Sequence, residues 1–158
     1  MPDTVLEAVE ATGHGYEVVP CDPDLADTAA FCAAYDVGLD VSANCVVVTG
    51  RREGDQRYAA ALVLATTRAD VNGLIRRRLD VRKASFAPMD EAVALTGMEF
   101  GGITPIGLPP GWPVLVDAAV AAAPEVVIGS GIRASKLFVP GEVLAALLGA
   151  EVVEGLGR

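Results

Sequence analysis

The feature that most constrains the fold is the segment "GGITPIGLPPGWP" at residues 101–113, which holds four glycines and four prolines. Proline fixes φ and removes a backbone donor, and glycine permits positive φ, so neither a helix nor a strand is expected to continue through it. The segment is interpreted as a linker between domains, as a rigid crossover, or as a stiff loop that holds a ligand. Predicted strands lie close by and no charge-rich spacer accompanies it, which disfavours the linker.

Length and composition predict one domain over residues 1–158. Only 5% of the residues are aromatic, so the core is expected to consist of Val, Ala and Leu. No apolar run is long enough for a membrane span, and the N-terminus "MPDTVLEAVE" lacks the layout of a secretion signal, so we expect a cytoplasmic protein. The spacing of Cys21, Cys32 and Cys45 fits neither a disulfide framework nor a zinc site, and no metal or cofactor is predicted.

The charge is distributed unevenly along the chain. The net charge of −9 argues against a general DNA-binding or RNA-coating protein. Residues 1–50 nevertheless contain nine acids and no Lys or Arg, whereas residues 51–83 contain nine bases and four acids. A polyanion is therefore expected to approach the middle of the chain. The alternative is that Arg76, Arg77 and Arg78 form only the solvated face of a helix and its C-terminal turn.

Strand-like and helix-like segments alternate, which predicts a mixed α/β or α+β domain. The turn residues at 51–56 predict a β-hairpin. Asp24 or Asp27 is expected to cap the first helix, with Gly38 as its stop. The predicted strands are 16–19, 44–50, 57–67, 83–87, 113–117, 125–129, 136–139 and 150–154, and the predicted helices are 24–38, 68–79, 88–97 and 140–149.

Two stretches, "TGMEFGGITPIGLPPGWPVLVD" and "EVVIGSGIRASKLFVP", resemble the YbaK/EbsC family, which is similar to the editing domain of bacterial prolyl-tRNA synthetases. The resemblance extends from about Tyr16 to the C-terminal helix. It implies a mixed, barrel-like curled sheet with peripheral helices. It also implies a free-standing enzyme that removes wrong amino acids from tRNA, of proline type or a related one, without a metal or nucleotide cofactor. The expected partners are the aminoacylated 3′ end of tRNA and, in some settings, a synthetase.

The resemblance also assigns site residues. The family's lysine on its first long strand is matched by Asn44, which offers a donor and an acceptor but no charge. Lys136 stands where some members carry an acid, so it is hypothesised to restore that charge; the alternative is a surface lysine on an edge strand. The predicted catalytic residues are Asn44, Gly102 and Ile103, and the predicted substrate-binding residues are Gly101, Thr104, Pro105, Gly129, Ser130, Gly131 and Lys136.

The sequence offers no conventional catalytic set. His14 is the only histidine and lies in a turn-like setting, and strand alternation would turn Cys45 away from a cavity that Asn44 faces. We therefore expect catalysis by positioning, in which the amides of Gly102 and Ile103 bind the oxyanion. The alternative is a catalytically silent module that binds aminoacyl-tRNA, a synthetase or a small ligand, and Asn44 favours it. A structural protein without tRNA affinity is a third possibility.

Overall fold

The computed structural model describes residues 1–158 and contains eight strands and six α-helices. The strands are β1 (Glu17–Pro20), β2 (Ala43–Arg52), β3 (Asp55–Leu64), β4 (Ala84–Phe86), β5 (Val114–Asp117), β6 (Val126–Gly129), β7 (Ser135–Val139) and β8 (Ala150–Val153). The helices are α1 (Asp3–Ala11), α2 (Thr28–Tyr35), α3 (Arg76–Leu79), α4 (Met89–Thr96), α5 (Ala118–Ala121) and α6 (Gly141–Ala145). None of these helices has both the length and the apolar character needed to cross a membrane.

The strands form two sheets. The larger has the order β4-β2-β3-β5-β8; its β2–β3 hairpin is antiparallel, whereas β3–β5 and β5–β8 are parallel. The smaller sheet, β1-β7-β6, is antiparallel throughout. A parallel bridge between Ser42 and Val127 joins them. The predicted mixed α/β class with peripheral helices is confirmed, and the expected curled sheet takes the form of two sheets that meet at this bridge.

The core is aliphatic, as the composition predicts. The largest cluster of buried side chains includes Val5, Leu62, Ile106 and Leu137 and contains no aromatic ring. A second cluster on the other face of the larger sheet also lacks aromatic rings. Ile106 lies in the middle of the Gly/Pro segment and is fully buried. The segment therefore packs against the sheets, rather than extending away from them as a linker would.

The first two helices of the chain differ from those predicted from the sequence. Helix α1 was not predicted, although Val5 and Val9 are spaced four residues apart and are both fully buried. Helix α2 begins only at Thr28, because a 3-10 turn at Pro23–Leu25 precedes it. It ends at Asp36, which adopts a left-handed φ of 55°, so the prediction that Gly38 stops the helix is wrong.

The predicted helix 68–79 is divided in the structure. Its first part, Val71–Ile75, is a π-helical turn in which the Ile75 amide donates to the Asp70 carbonyl, while the Asp70 carboxylate accepts from the Leu74 amide. The short helix α3 follows. Arg77 and Arg78 are exposed to solvent, as expected of this arginine-rich face.

Candidate functional site

A cleft of about 290 Å³ lies where the Gly/Pro segment meets both sheets. Its walls come from the turn before α2, the start of β2, the first residues of the segment, and β6 and β7. We call it the loop cleft. Five of the ten predicted site residues line it, namely Asn44, Gly101, Ile103, Gly129 and Lys136. The others in its walls are Ala26, Asp27, Thr28, Ala43, Cys45, Val46, Met89 and Phe100.

Backbone hydrogen bonds fix the first part of the segment to the turn after β6. The Gly131 amide donates to the Gly102 carbonyl at 2.7 Å, and the Glu99 amide donates to the Gly131 carbonyl at 2.9 Å. A Cβ on Gly102 would lie 2.7 Å from the Ile132 carbonyl carbon, and one on Gly129 would lie 2.7 Å from the Gly102 carbonyl oxygen. Glycine is therefore required where these two backbones approach each other.

The structure revises which loop amides are available to a ligand. The Gly102 amide donates to the Glu99 carbonyl at 2.9 Å, so the prediction that it points at a ligand is wrong. The amides of Gly101 and Ile103, by contrast, donate to no protein group, and both residues line the loop cleft. These two amides are therefore the loop donors left for a bound molecule.

The side chain of Asn44 is held in one orientation by Thr28. Thr28 is the first residue of α2, and its hydroxyl donates to Asn44 Oδ1 at 2.5 Å. Because the oxygen end of the amide is occupied in this way, the Nδ2 end keeps both of its N–H donors. No protein acceptor binds them. Asn44 thus supplies a hydrogen-bond donor to the cleft, although it carries no charge.

Lys136 is a buried cation in the same cleft. Its exposed fraction is 7%, and it lies on β7, the central strand of the smaller sheet, so the surface-lysine interpretation is wrong. Its Nζ donates to the Ala26 carbonyl at 2.6 Å and lies 5.5 Å from the centre of the Phe31 ring. No carboxylate lies within ion-pair distance of it. Burial lowers the pKa of Lys136, although Cys21 and Asp27 nearby oppose that shift.

Arg133 connects the turn before α2 to the Gly/Pro segment. Its guanidinium donates to the carbonyls of Pro23 and Phe100 at 2.9 and 3.1 Å. It also lies 3.4 Å from Asp27 Oδ1. Asp27 occupies the N-cap position of α2, which is one of the two predicted positions, but its side chain makes no capping hydrogen bond. Asp27 is the one carboxylate in the walls of the loop cleft, and Arg133 offsets its charge.

The remaining five predicted residues do not reach the cleft surface. The Ser130 hydroxyl is fully buried and lies 2.8 Å from Ser135 Oγ and 3.0 Å from the Ser135 carbonyl. The Thr104 hydroxyl is fully buried too and has no hydrogen-bond partner. Neither residue lines the loop cleft, and their predicted contact with substrate stays a prediction. Gly102, Pro105 and Gly131 are also buried and do not line the cleft, and their predicted roles stay predictions as well.

Cys45 does not follow the expected alternation. It lines the loop cleft together with Asn44, although it also packs against the main core. Burial raises the pKa of its thiol to about 12, so the thiolate required of a nucleophile is strongly disfavoured. His14 is exposed and lies in none of the cleft walls. The structure therefore offers no activated nucleophile in the loop cleft.

Sequence reasoning missed several residues of the site. Thr28 and Asn44 are sixteen residues apart, and no local pattern shows that they meet. Phe100 and Met89 are exposed apolar side chains on the cleft. The position of Phe100 directly before the glycine pair was the one available indication of its role. The sequence indicates Asp27 only as a candidate helix cap.

Comparison with known protein families shows which family the chain belongs to. The model of the "Aminoacyl-tRNA editing domain" family matches residues 22–147. The chain belongs to this family. The match confirms the resemblance to YbaK-type editing domains, and it covers the turn before α2, strand β2, the Gly/Pro segment and Lys136. The loop cleft therefore lies wholly within the part of the chain that defines the editing domain.

Solved structures show the same fold. The crystal structure of hypothetical protein APE2540 matches 99% of this editing domain and 100% of that chain, with a TM-score of 0.85 and 22% identity. That of a candidate trans-editing enzyme for prolyl tRNA synthetase matches 100% of this editing domain and 99% of that chain, with a TM-score of 0.81 and 23% identity. At these identities the likeness concerns the fold.

A longer protein contains a related stretch. The nicotinate-nucleotide–dimethylbenzimidazole phosphoribosyltransferase of Chlorobaculum parvum is 29% identical over 124 residues, which are 75% of this editing domain and 32% of that protein. The chain thus spans about a third of the length of this relative. The activity in that name belongs to the whole of the longer protein.

Proposed function

We propose that this editing domain hydrolyses the ester of a misacylated tRNA in trans, with a tRNA of proline type or a related one as substrate and the cytoplasm as its place of action. The observation that carries the proposal is the set of donors in the loop cleft. The free amides of Gly101 and Ile103, the Asn44 amide and the Lys136 ammonium all border one cavity. Such a site suits an oxygen that gains negative charge during reaction.

The chemistry needs little from the side chains beyond positioning. Water adds to the ester carbonyl carbon, the bond from that carbon to the ribose oxygen breaks, and the proton passes to the ribose oxygen. The products are the free amino acid and uncharged tRNA. Since the cleft holds no histidine and Asp27 is paired with Arg133, we assign proton transfer to water and to the hydroxyls of the ribose. Holding an already labile ester in place supplies the remaining rate enhancement.

Lys136 supplies the positive charge that Asn44 does not carry. The two side chains contact the same short turn, since Lys136 binds the Ala26 carbonyl and Asn44 binds the Thr28 hydroxyl. A buried ammonium gains most from an anionic ligand when no carboxylate is paired with it, and Lys136 has none within ion-pair distance, because Asp27 is paired with Arg133 instead. We therefore propose that the cation of this site comes from β7 and acts on the oxyanion.

The second candidate function is a silent module that binds aminoacyl-tRNA, a synthetase or a small ligand without turnover. Asn44 at the family's lysine position favours it, as does the lack of a free general base in the cleft. The remaining five predicted residues, Gly102, Thr104, Pro105, Ser130 and Gly131, have the same part in both candidates. They support the loop from behind.

A deacylation assay over a panel of mischarged tRNAs separates the candidates. We expect turnover of at least one aminoacyl-tRNA, and an Asn44→Lys variant tested beside it measures what the second cation adds. Binding without turnover would select the silent module. A failure to bind tRNA at any salt concentration would exclude the hydrolase and a silent module that binds aminoacyl-tRNA, because contacts with phosphates strengthen as the salt concentration falls.

A further inference from the structure

A second cleft, of about 480 Å³, adjoins the loop cleft. We call it the Phe86 cleft. It shares Asn44 and Val46 with the loop cleft, so the outer face of β2 forms the wall between the two. A molecule that fills both must bend across this wall. The other residues that line the Phe86 cleft are Val63, Thr67, Arg68, Ala69, Asp70, Val71, Asn72 and Phe86.

Phe86 is the most exposed aromatic side chain near the site, with 60% of its surface accessible. The chain has four phenylalanines. Phe31 is buried and Phe138 is half-buried, while Phe86 and Phe100 are exposed, and each of these two lies on one of the adjoining clefts. An exposed aromatic face beside a cleft is a platform on which a nucleobase stacks.

The polar groups around Phe86 favour a base over a purely apolar ligand. The side chains of Arg68 and Asn72 make no hydrogen bond or ion pair with the protein and are exposed. The nearby carboxylate, Asp70, already accepts from the Leu74 amide and from Arg158. The cleft therefore combines an aromatic face with a free guanidinium and a free amide, which can bind the edge of a base.

We propose that the Phe86 cleft binds the unpaired terminal nucleobase of the tRNA 3′ end, which stacks on Phe86. This inference rests on the proposed function, since it places the base beside an ester held in the loop cleft. The ribose then lies over Asn44 and Val46, between the two cavities. The free Arg68 and Asn72 side chains contact the edge of the base, and Phe100 remains on the side of the aminoacyl group.

The first test measures deacylation kinetics for Phe86→Ala, Phe86→Leu and Phe86→Trp. Base stacking on an aromatic ring predicts that Phe86→Ala raises KM by about 5- to 150-fold, with kcat largely retained. Phe86→Trp should keep a low KM, whereas Phe86→Leu should not, because leucine keeps apolar area but lacks a ring face. Leu95→Ala is the matched control, since Leu95 is another exposed apolar residue and lies on neither cleft.

Two kinetic outcomes would overturn the inference. One is an unchanged KM for Phe86→Ala, and the other is full rescue by Phe86→Leu. Phe86 is exposed on β4, so these variants should fold, and a thermal melt of each protein checks that they do. If the tRNA is deacylated and substitution of Phe86 leaves KM unchanged, the base site is wrong and the hydrolase proposal stands.

The second test does not depend on turnover. The trinucleotide CCA and an analogue that lacks the terminal base are titrated into the protein while backbone amide resonances are followed by NMR. We expect CCA to shift the resonances of Phe86 and Asn72, and the analogue and the Phe86→Ala protein to lose that response. Shifts at Phe86 without any deacylation would support the base site and refute the hydrolase. The absence of any shift at Phe86 would refute the base site.

Discussion

The two halves of the Gly/Pro segment share a composition but differ in what they contact. Residues 101–105 are fixed to the turn after β6 through the Gly102 carbonyl, and Gly101 and Ile103 among them border the loop cleft. Residues 107–113 instead line an apolar groove of about 720 Å³ together with the end of α1 and the turn after α6. There Trp112 stacks on Tyr58, with the ring centres 5.1 Å apart. Composition therefore predicts a stiff backbone in both halves. The contacts that each half makes with the rest of the chain decide which half borders the candidate ligand site.

The largest effect is expected for Gly102→Val in the first half. The new Cβ would lie 2.7 Å from the Ile132 backbone, so the segment must move away from the turn that positions it. Since a displacement of about 1 Å costs catalysis about 100-fold, we expect deacylation to fall by at least about that factor. The fold should survive, because the main cluster of core residues is untouched. Rates are measured beside thermal melts.

Gly111→Ala in the second half is the matched control for Gly102→Val. Gly111 has a φ of 83°, and nothing lies within 4 Å of the position of its Cβ. Alanine there should lower the free energy of unfolding by about 1–2 kcal/mol through backbone strain, and deacylation should stay unchanged. Equal losses of activity in the two variants would show that the halves do not differ as proposed.

The next largest effect is expected for Lys136→Met, which keeps the length of the side chain and removes its charge. Deacylation should fall by about tenfold or more if the ammonium stabilises the oxyanion, since charged hydrogen bonds contribute about 1.5–3 kcal/mol. Because burial lowers the pKa of Lys136, activity should decline as the pH rises through that lowered value, earlier than for an ordinary lysine. Lys136→Met should lack this decline. Rates are measured from pH 6 to 10 after subtraction of the uncatalysed hydrolysis.

Stability should change with pH in the opposite direction. Between the lowered pKa of folded Lys136 and its ordinary value, the unfolded chain binds more protons than the folded one, so stability rises with pH in that window. Lys136→Met should remove this rise. Urea titrations at several pH values test it. If Lys136→Met removed the rise of stability with pH but left the pH–rate profile unaltered, the role of Lys136 would be structural only.

Much of the fold could be predicted from the sequence, but less of the site. Runs such as "NCVVVTG" indicate strands by themselves, because apolar burial and turn residues are local properties. The resemblance located Asn44 and Lys136, and the structure brings both to the loop cleft. The Thr28–Asn44 hydrogen bond could not be predicted, since it joins two elements whose approach depends on the whole packing. For the same reason Phe86 was recognised only as part of a strand.

A smaller effect on deacylation is expected for Thr28→Val, which tests the role of Asn44. Valine keeps the shape of threonine and removes the hydroxyl that holds Asn44 Oδ1. A neutral hydrogen bond contributes about 0.5–1.5 kcal/mol, so deacylation should fall by about two- to tenfold. In an Asn44→Ala background the same change should have no further effect, because the two residues act as one unit. Additive losses in this double-mutant cycle would show that Thr28 acts independently of Asn44.

The smallest effect on activity is expected for Trp112→Ala, in the second half of the segment. Trp112 is half-buried and stacks on Tyr58, whose hydroxyl binds Glu91, so its loss removes packing that holds residues 107–113 against β3. The free energy of unfolding should fall by about 2 kcal/mol, and Trp112→Phe should recover part of it through the remaining ring pair. Deacylation at a temperature well below the melt should be unchanged, in contrast to Gly102→Val, which loses activity without a comparable loss of packing. If Trp112→Ala lowered kcat in a folded protein, the second half would have to reach the ester as well, and the apolar groove would belong to the substrate site.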